Sequence, residues 1–309
     1  MSATRRGSAN SNSSSPADDG ERMTAGRGSE RRSPHRPKFS KGWRKTIEHE
    51  RAPTESEVAD ESDHVDIWAA QPEALLRAHS CLKLLTDEDW FSLQQIHDAG
   101  IRQSATAARI LLRLGLAKSV DRKVAPSDWR FERSEHGKPT VSKGLPPIHF
   151  SVAHVDEISI VAVSRRLGIG VDVESIDQDV SESVMVGFYH AEEQDSVRDL
   201  QPRQKVRELL RFWTLKEAYT KMIGVGHSLD FDTIKFVLDP LALASEVGGA
   251  HMKRPTRFES LYIPVGHGLY HVSLAIEQPQ QCAASTEVQI ISLANPKGIG
   301  HRARTRGIA

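Results

Sequence analysis

Apolar residues along this chain recur every three to four positions in some stretches and every second position in others, and the opening stretch shows neither spacing. Helical spacing runs over 71–85 and 87–96. Thr86 suits the N-cap of the second, with Asp87, Glu88 and Asp89 in a first turn where the helix dipole favours carboxylates. A stronger helix is predicted over 103–116, rich in Ala and Leu and closed by Gly115 near its end. Two more are predicted over 181–188 and 203–223, with Gly224 and Gly226 ending the second. Segments 148–152, 158–164 and 169–174 read as strands, as do 234–238, 260–264 and 270–276. The short turn at 165–168 predicts that its two flanking strands form an antiparallel hairpin. Helices then strands, twice in succession, predict an α+β fold of two similar halves. YHVSLAI at 270–276 echoes IHFSVAH at 148–154, as a duplication would.

Composition sharpens that division. At 309 residues and 38% hydrophobic content, the chain can bury one large core or two small ones. Residues 1–65 are mostly Ser, Arg, Gly, Pro and Glu, bury too little to offset chain entropy, and are expected to be a disordered basic tail; 295–309 reads as a second basic tail. The two halves are then 66–166 and 167–294. Lys plus Arg number 41 and Asp plus Glu 41, so net charge names no partner. Basic runs at 31–36 and 38–45 lie in a solvated tail and require no nucleic acid. No apolar run is long enough to cross a bilayer and no signal-peptide centre is present, so the expectation is a cytoplasmic protein with no membrane contact. Cys81 and Cys282 lack any paired framework and read as free thiols in a reducing compartment.

Candidate chemistry concentrates in two strings, GVDVE at 170–174 and FWTLKEAYTK at 212–221. Alternate side chains of a strand share a face, so Asp172 and Glu174 point one way while Val171 and Val173 point to a core. On a helix Trp213, Glu217 and Lys221 follow at i,i+4, about 40° apart, and form one stripe. Two carboxylates on one strand face repel each other and call for a cation. Magnesium suits this number of acids, because it uses one or two carboxylates plus phosphate oxygens. Taken singly, each string also fits a solvated strand edge and an ordinary helix ion pair.

Together, in this order, the strings resemble the G-x-D-x-E and W-x-x-K-E-(A/S)-x-x-K signatures of the 4′-phosphopantetheinyl transferases, specifically the surfactin-synthetase-activating type with two fused halves. SDWRFERSEHGKP at 127–139, HFSVAH at 149–154, FYHAEEQ at 188–194 and GVGHSLDFDTIKF at 224–236 are similar to further segments of that family, extending the resemblance over 67–276. The resemblance implies two α/β subdomains packed as a pseudo-dimer with the active site in the cleft between them. It implies transfer of 4′-phosphopantetheine from coenzyme A to a serine of an apo acyl or peptidyl carrier protein, which makes the enzyme a holo-[acyl-carrier-protein] synthase. Carriers of fatty-acid, polyketide or peptide synthetases, or of aminoadipate reductase, would all qualify. Such enzymes are expected to be monomers.

By the same resemblance Asp172, Glu174 and Glu217 would hold Mg2+, and Lys221 would steady the leaving phosphate. Glu217 would be the base, with Glu193 second in line. Arg102, Arg109, Arg113, Lys138, Ser151, His154 and Lys216 would contact coenzyme A, with Lys216 otherwise anchoring the helix and Trp213 packing it. The chain departs from the pattern at Ser151 (usually Asn), Ala153 (usually Ser), His136 (commonly Tyr), and Ser104 and Ala105 (near where arginines and an aromatic are expected). Two alternatives stay open: a non-catalytic scaffold for coenzyme A or carriers, and another magnesium-dependent phosphoryl or nucleotidyl transferase.

Overall fold

The structure, a computed structural model, describes residues 64–155, 157–177, 186–246, 255–278, 287–292 and 302–306. Strand β1 (His64–Ala70) leads into short helices α1 (Pro72–Arg77), α2 (His79–Leu82) and α3 (Asp87–Gln94), then the long α4 (Ala99–Ser119). A small hairpin of β2 (Phe131–Arg133) and β3 (Pro139–Val141) precedes β4 (His149–Val155), β5 (Ile158–Ser164) and β6 (Ile169–Ser175). After α5 (Ala191–Ser196) and the long α6 (Pro202–Ile223) come β7 (Ile234–Leu238), β8 (Leu241–Glu246), β9 (Thr256–Val265), β10 (Gly268–Glu277), β11 (Glu287–Ser292) and β12 (Arg302–Arg306). Helices and sheets are thus mixed, as the α+β reading required.

Strand alternation builds four layers. One sheet runs β12-β11-β1-β5-β4 and another β6-β10-β9. Val65, Ile67 and Ala69 of β1, with Ile158, Ile160 and Ala162 of β5, face Val171, Val173, Val272, Leu274 and Ile276 of the second sheet in one buried cluster. The opposite faces of β1 and β5 offer Trp68, Val161 and Val163 to Ile110, Leu111 and Leu116 of α4. On the far side of the second sheet, Ala275 packs beneath Leu215, Ala218 and Met222 of α6. Each fully buried aliphatic side chain contributes about 2 kcal/mol, so the three contiguous clusters are the main source of stability.

Several expectations change. The 165–168 turn joins no hairpin: β5 pairs with β1 and β4, whereas β6 pairs with β10, so the chain crosses from one sheet to the other there. His64 and Val65, assigned to the first tail, open β1, and Val65 is fully buried. Residues 1–63 lie outside the described residues. Within the second expected tail, 302–306 forms β12 and pairs antiparallel with β11. β11, assigned to the second half, runs parallel to β1 in the first sheet. The 71–85 helix is two short helices, and of the one expected over 181–188 only a 3-10 turn at Val186–Phe188 is described. Thr86 does cap α3: its hydroxyl accepts from Asp89 N at 3.3 Å while the Asp89 carboxylate accepts from Thr86 N at 2.9 Å. Among the described residues no helix is long and apolar enough to cross a membrane.

Candidate active site

The site rests on how closely α6 can approach β6. Pro202 opens α6 at its first turn, where no amide partner is lost, and Gly224 closes it at φ +83°, a left-handed value that suits glycine. Gly170 permits the approach, because a Cβ there would stand 1.9 Å from the Ala218 carbonyl oxygen. Gly170, Asp172 and Glu174 share the face turned to α6 by strand alternation, and Val171 and Val173 enter the inter-sheet core.

Under α6 the two strings meet. Lys221 Nζ lies 2.6 Å from Asp172 Oδ1 and 3.9 Å from Glu217 Oε2. Burial pushes the Lys221 ammonium down, but Asp172, then Glu217 and Glu174, outweigh it and hold the group above its usual range. Burial pushes the Asp172 carboxyl up, and Lys221 opposes that shift. Among the described residues, Asp172 Oδ2 is buried without a hydrogen-bond partner. A buried carboxylate oxygen without a partner is the kind of hard donor a divalent cation takes. As the side chains stand, no three His, Cys, Asp or Glu among the described residues are grouped to hold a metal ion. Lys221 supplies the neutralising charge in this arrangement.

Lys216 and Glu193 lie elsewhere. Both side chains are fully buried, and Lys216 Nζ stands 2.5 Å from Glu193 Oε2. Lys216 also donates to the carbonyls of Phe188 (3.1 Å) and Phe231 (2.8 Å). Glu193 accepts from the amides of Phe236 (2.7 Å) and His190 (3.0 Å). Lys216 thus ties α6 to Glu193 and to two carbonyls, and Glu193 is its counter-ion. Trp213 packs edge-on against Phe188, ring centroids 5.3 Å apart, and tilted against Phe231 at 5.4 Å, as a packing residue should.

The expected phosphate-binding arginines are also engaged in structure. Arg113 is 2% exposed; its guanidinium holds Asp89 at 2.6 Å and donates to the carbonyls of Pro126 (3.1 Å) and Trp129 (3.0 Å). Arg109 reaches Ser92 Oγ at 3.1 Å and the Ala105 carbonyl at 3.3 Å, and Arg102 donates to Ile96 O at 2.5 Å. Ser151 and His154 leave opposite faces of β4. Ser151 Oγ accepts from Val171 N at 3.0 Å, which satisfies a buried β6 amide across the sheets. His154 Nδ1 lies 3.0 Å from Ser104 Oγ on α4, so the serine that departs from the family pattern is the histidine's partner. Lys138 Nζ donates to Met222 O (2.9 Å) at the carboxyl end of α6 and to Ile169 O (3.3 Å). Beside Lys138, a cavity of ≈ 200 Å³ opens between β3 and β4, lined also by Val141, Ile148, His149 and Phe150.

Four polar residues that sequence reasoning did not single out sit against this face. His271 and Ser273 of β10 lie opposite Glu174 and Asp172 in register, and both bond Thr214 of α6, while Ser260 of β9 bonds His271. The signal was present in YHVSLAI, where His271 and Ser273 alternate with Val272 and Leu274.

Residues 168–272 match the family model described as the 4′-phosphopantetheinyl transferase superfamily. Over 185 residues the chain is 28% identical to 4′-phosphopantetheinyl transferase HetI of Nostoc sp., covering 58% of this chain and 76% of that protein. Over 96 residues it is 32% identical to 4′-phosphopantetheinyl transferase gsp of Aneurinibacillus migulanus, covering 31% and 38%. Over 189 residues it is 24% identical to the L-aminoadipate-semialdehyde dehydrogenase-phosphopantetheinyl transferase of Rattus norvegicus, covering 57% and 59%. The chain thus spans less than two thirds of the latter two relatives. A solved apo-ACPS of Chronobacterium ammoiniagenes aligns with 37% of this chain and 98% of its own at 16% identity and a TM-score of 0.27, too weak a likeness to argue from.

Proposed function

We infer that this chain, which belongs to the 4′-phosphopantetheinyl transferase superfamily through residues 168–272, transfers the 4′-phosphopantetheine of coenzyme A to a serine hydroxyl of an apo carrier protein. The observation that carries this reading is the convergence of Lys221 on Asp172 and Glu217, a compact charged site at the junction of β6 and α6. The four layers support a pseudo-dimer, each half a sheet backed by one long helix, with the substrate cleft between halves. Because one chain supplies both halves, a monomer suffices.

Asp172, with Glu174 and Glu217, would hold Mg2+; the orphaned Asp172 oxygen supports this, and the bound ion would neutralise diphosphate charge. Glu217 takes the proton of the attacking serine, which is a poor nucleophile unless a base assists it. Lys221 donates to the leaving 3′,5′-adenosine bisphosphate as negative charge gathers on it. The serine oxygen bonds to the pantetheine-side phosphorus as the diphosphate bridge breaks. Of the two bases considered, we favour Glu217, because Glu193 is committed to Lys216 and two amides. The nucleotide end fits the cavity beside Lys138 and His149, with Lys138 leaving its carbonyls to meet phosphate.

The experiment is incubation of the purified chain with labelled coenzyme A, magnesium and a panel of apo carriers from fatty-acid, polyketide and peptide synthetases and aminoadipate reductase, read by intact mass. Gain of one phosphopantetheine on any carrier is the expected result. Magnesium-dependent coenzyme A binding by calorimetry with no transfer to any carrier would instead identify a scaffold.

A further inference from the structure

The α6-facing side of the second sheet carries a buried polar network that the proposed chemistry leaves unused. Residues directly opposite in an antiparallel pair share a face, so His271 and Ser273 point to the same side as Glu174 and Asp172. Thr214, three residues before Glu217 on α6, sits over both. Its Oγ1 lies 2.9 Å from His271 Nδ1 and 2.8 Å from Ser273 Oγ, and Ser260 Oγ lies 2.7 Å from His271 Nε2. Thr214 and Ser273 are fully buried and His271 is 1% exposed, so each polar atom must find its partner within the protein.

Of the two proton assignments that satisfy them, one also bonds the Thr214 hydroxyl to its own helix. The Thr214 hydroxyl reaches back along its own helix to the carbonyls of Leu210 (3.0 Å) and Arg211 (3.2 Å) and gives its single proton there. Its oxygen then accepts from His271 Nδ1–H and from the Ser273 hydroxyl, and Nε2 accepts from the Ser260 hydroxyl. That arrangement needs a neutral ring.

Lys216 anchors α6 to Glu193 and to the Phe188 and Phe231 carbonyls, all outside the second sheet; against the sheet itself apolar packing is non-directional, and the Gly170–Ala218 contact is a single point about which the helix can still turn. Hydrogen bonds at a second point, one turn away, remove that freedom because they weaken steeply with misalignment. We propose that Thr214, gripped by the Nδ1–H tautomer of His271 and by Ser273, is a positioning residue that fixes the rotation of α6 over β6 and so holds Glu217 and Lys221 against Asp172. This rests on the transferase reading above and adds to it the device that assembles the site.

Thr214→Val keeps the shape and removes the hydroxyl, whereas Thr214→Ser keeps the hydroxyl. The valine variant is expected to lose kcat by roughly tenfold or more with KM for coenzyme A within about twofold, measured well below its melting temperature. The serine variant should stay within about threefold of the parent. Nitrogen-15 NMR of the parent at neutral pH should show His271 as the neutral Nδ1–H tautomer. A valine variant with kcat within about twofold of the parent, a serine variant as impaired as the valine one, or an Nε2–H tautomer would each overturn the proposal. Should Thr214→Val not fold, His271→Asn retains a donor at the Nδ1 position and His271→Gln only at the far end. Asparagine must then preserve more kcat than glutamine, and equal loss refutes the idea. A parent inactive on every carrier would instead defeat the transferase reading, and the tautomer measurement would still judge the network.

Discussion

Gly170 and Ala218 meet backbone to backbone, so tightly that a Cβ on the glycine would stand 1.9 Å from the alanine carbonyl oxygen and 2.6 Å from the Met222 amide nitrogen. Neither obstacle is a flexible side-chain end, so a methyl group there forces helix and strand apart. Gly170→Ala is therefore expected to cost about 3 kcal/mol or more and to separate Lys221 from Asp172. Urea unfolding tests this, and a variant within about 1 kcal/mol of the parent would show that α6 yields without penalty.

Asp172→Asn removes the charge closest to Lys221 and the oxygen best suited to a cation. Carrier modification should fall by roughly a hundredfold to a thousandfold while the fold persists, since losing one preorganised charge commonly has that effect. Initial rates by intact mass, beside a circular dichroism spectrum, measure both. Undiminished transfer would remove Asp172 from the machinery.

Glu193→Ala strands the Lys216 ammonium in the interior, and breaking a buried pair this way costs about 3–5 kcal/mol. Replacing both partners, Glu193→Leu with Lys216→Met, should restore much of that stability. The double variant is expected to retain transfer, and its complete inactivity when folded would reinstate Glu193 as a base.

Arg113→Ala takes from Asp89 its buried ion-pair partner and from the Pro126 and Trp129 carbonyls one donor each, while Thr86 still bonds Asp89 and Arg130 still bonds Trp129 O. The expected result is a loss of about 3 kcal/mol of stability with KM for coenzyme A unchanged. Thermal melting and a coenzyme A titration separate the two. A large rise in KM in a stably folded variant would return Arg113 to the phosphate site.

Because the folded-state pKa of His271 is pushed down to about 4, the folded protein leaves the ring neutral where the unfolded chain protonates it. Below about pH 6.5 the unfolded state binds the extra proton, so stability falls with pH, by roughly 2–3 kcal/mol on reaching pH 4. Chemical unfolding of the parent and of His271→Asn across that window should give a steeper curve for the parent. Parallel curves would contradict the assignment.

Legibility followed local physics. Strand β5 was readable because its apolar run has turn signals at both ends, and α6 because its stripe, opening proline and closing glycine agree. Strand β1 escaped because it is buried on both faces, which erases alternation, and because it follows a polar stretch. Arg102, Arg109 and Arg113 were visible as basic residues at helical spacing, but sequence spacing does not reveal whether a guanidinium meets solvent, phosphate or a carbonyl. Lys216, Lys138 and Ser151 carried the same ambiguity.

From its residues alone, this protein determined the GVDVE strand face, the Glu217–Lys221 stripe and the family they resemble, because those depend on periods of two and 3.6 residues within one element. Tertiary structure decided the rest: the crossing from β5 into a second sheet, the burial of Arg113 and Glu193, and the seating of Thr214 over His271 and Ser273. Each of those joins residues far apart in sequence, and which partner a polar side chain finds is set by the packing of whole layers rather than by its neighbours along the chain.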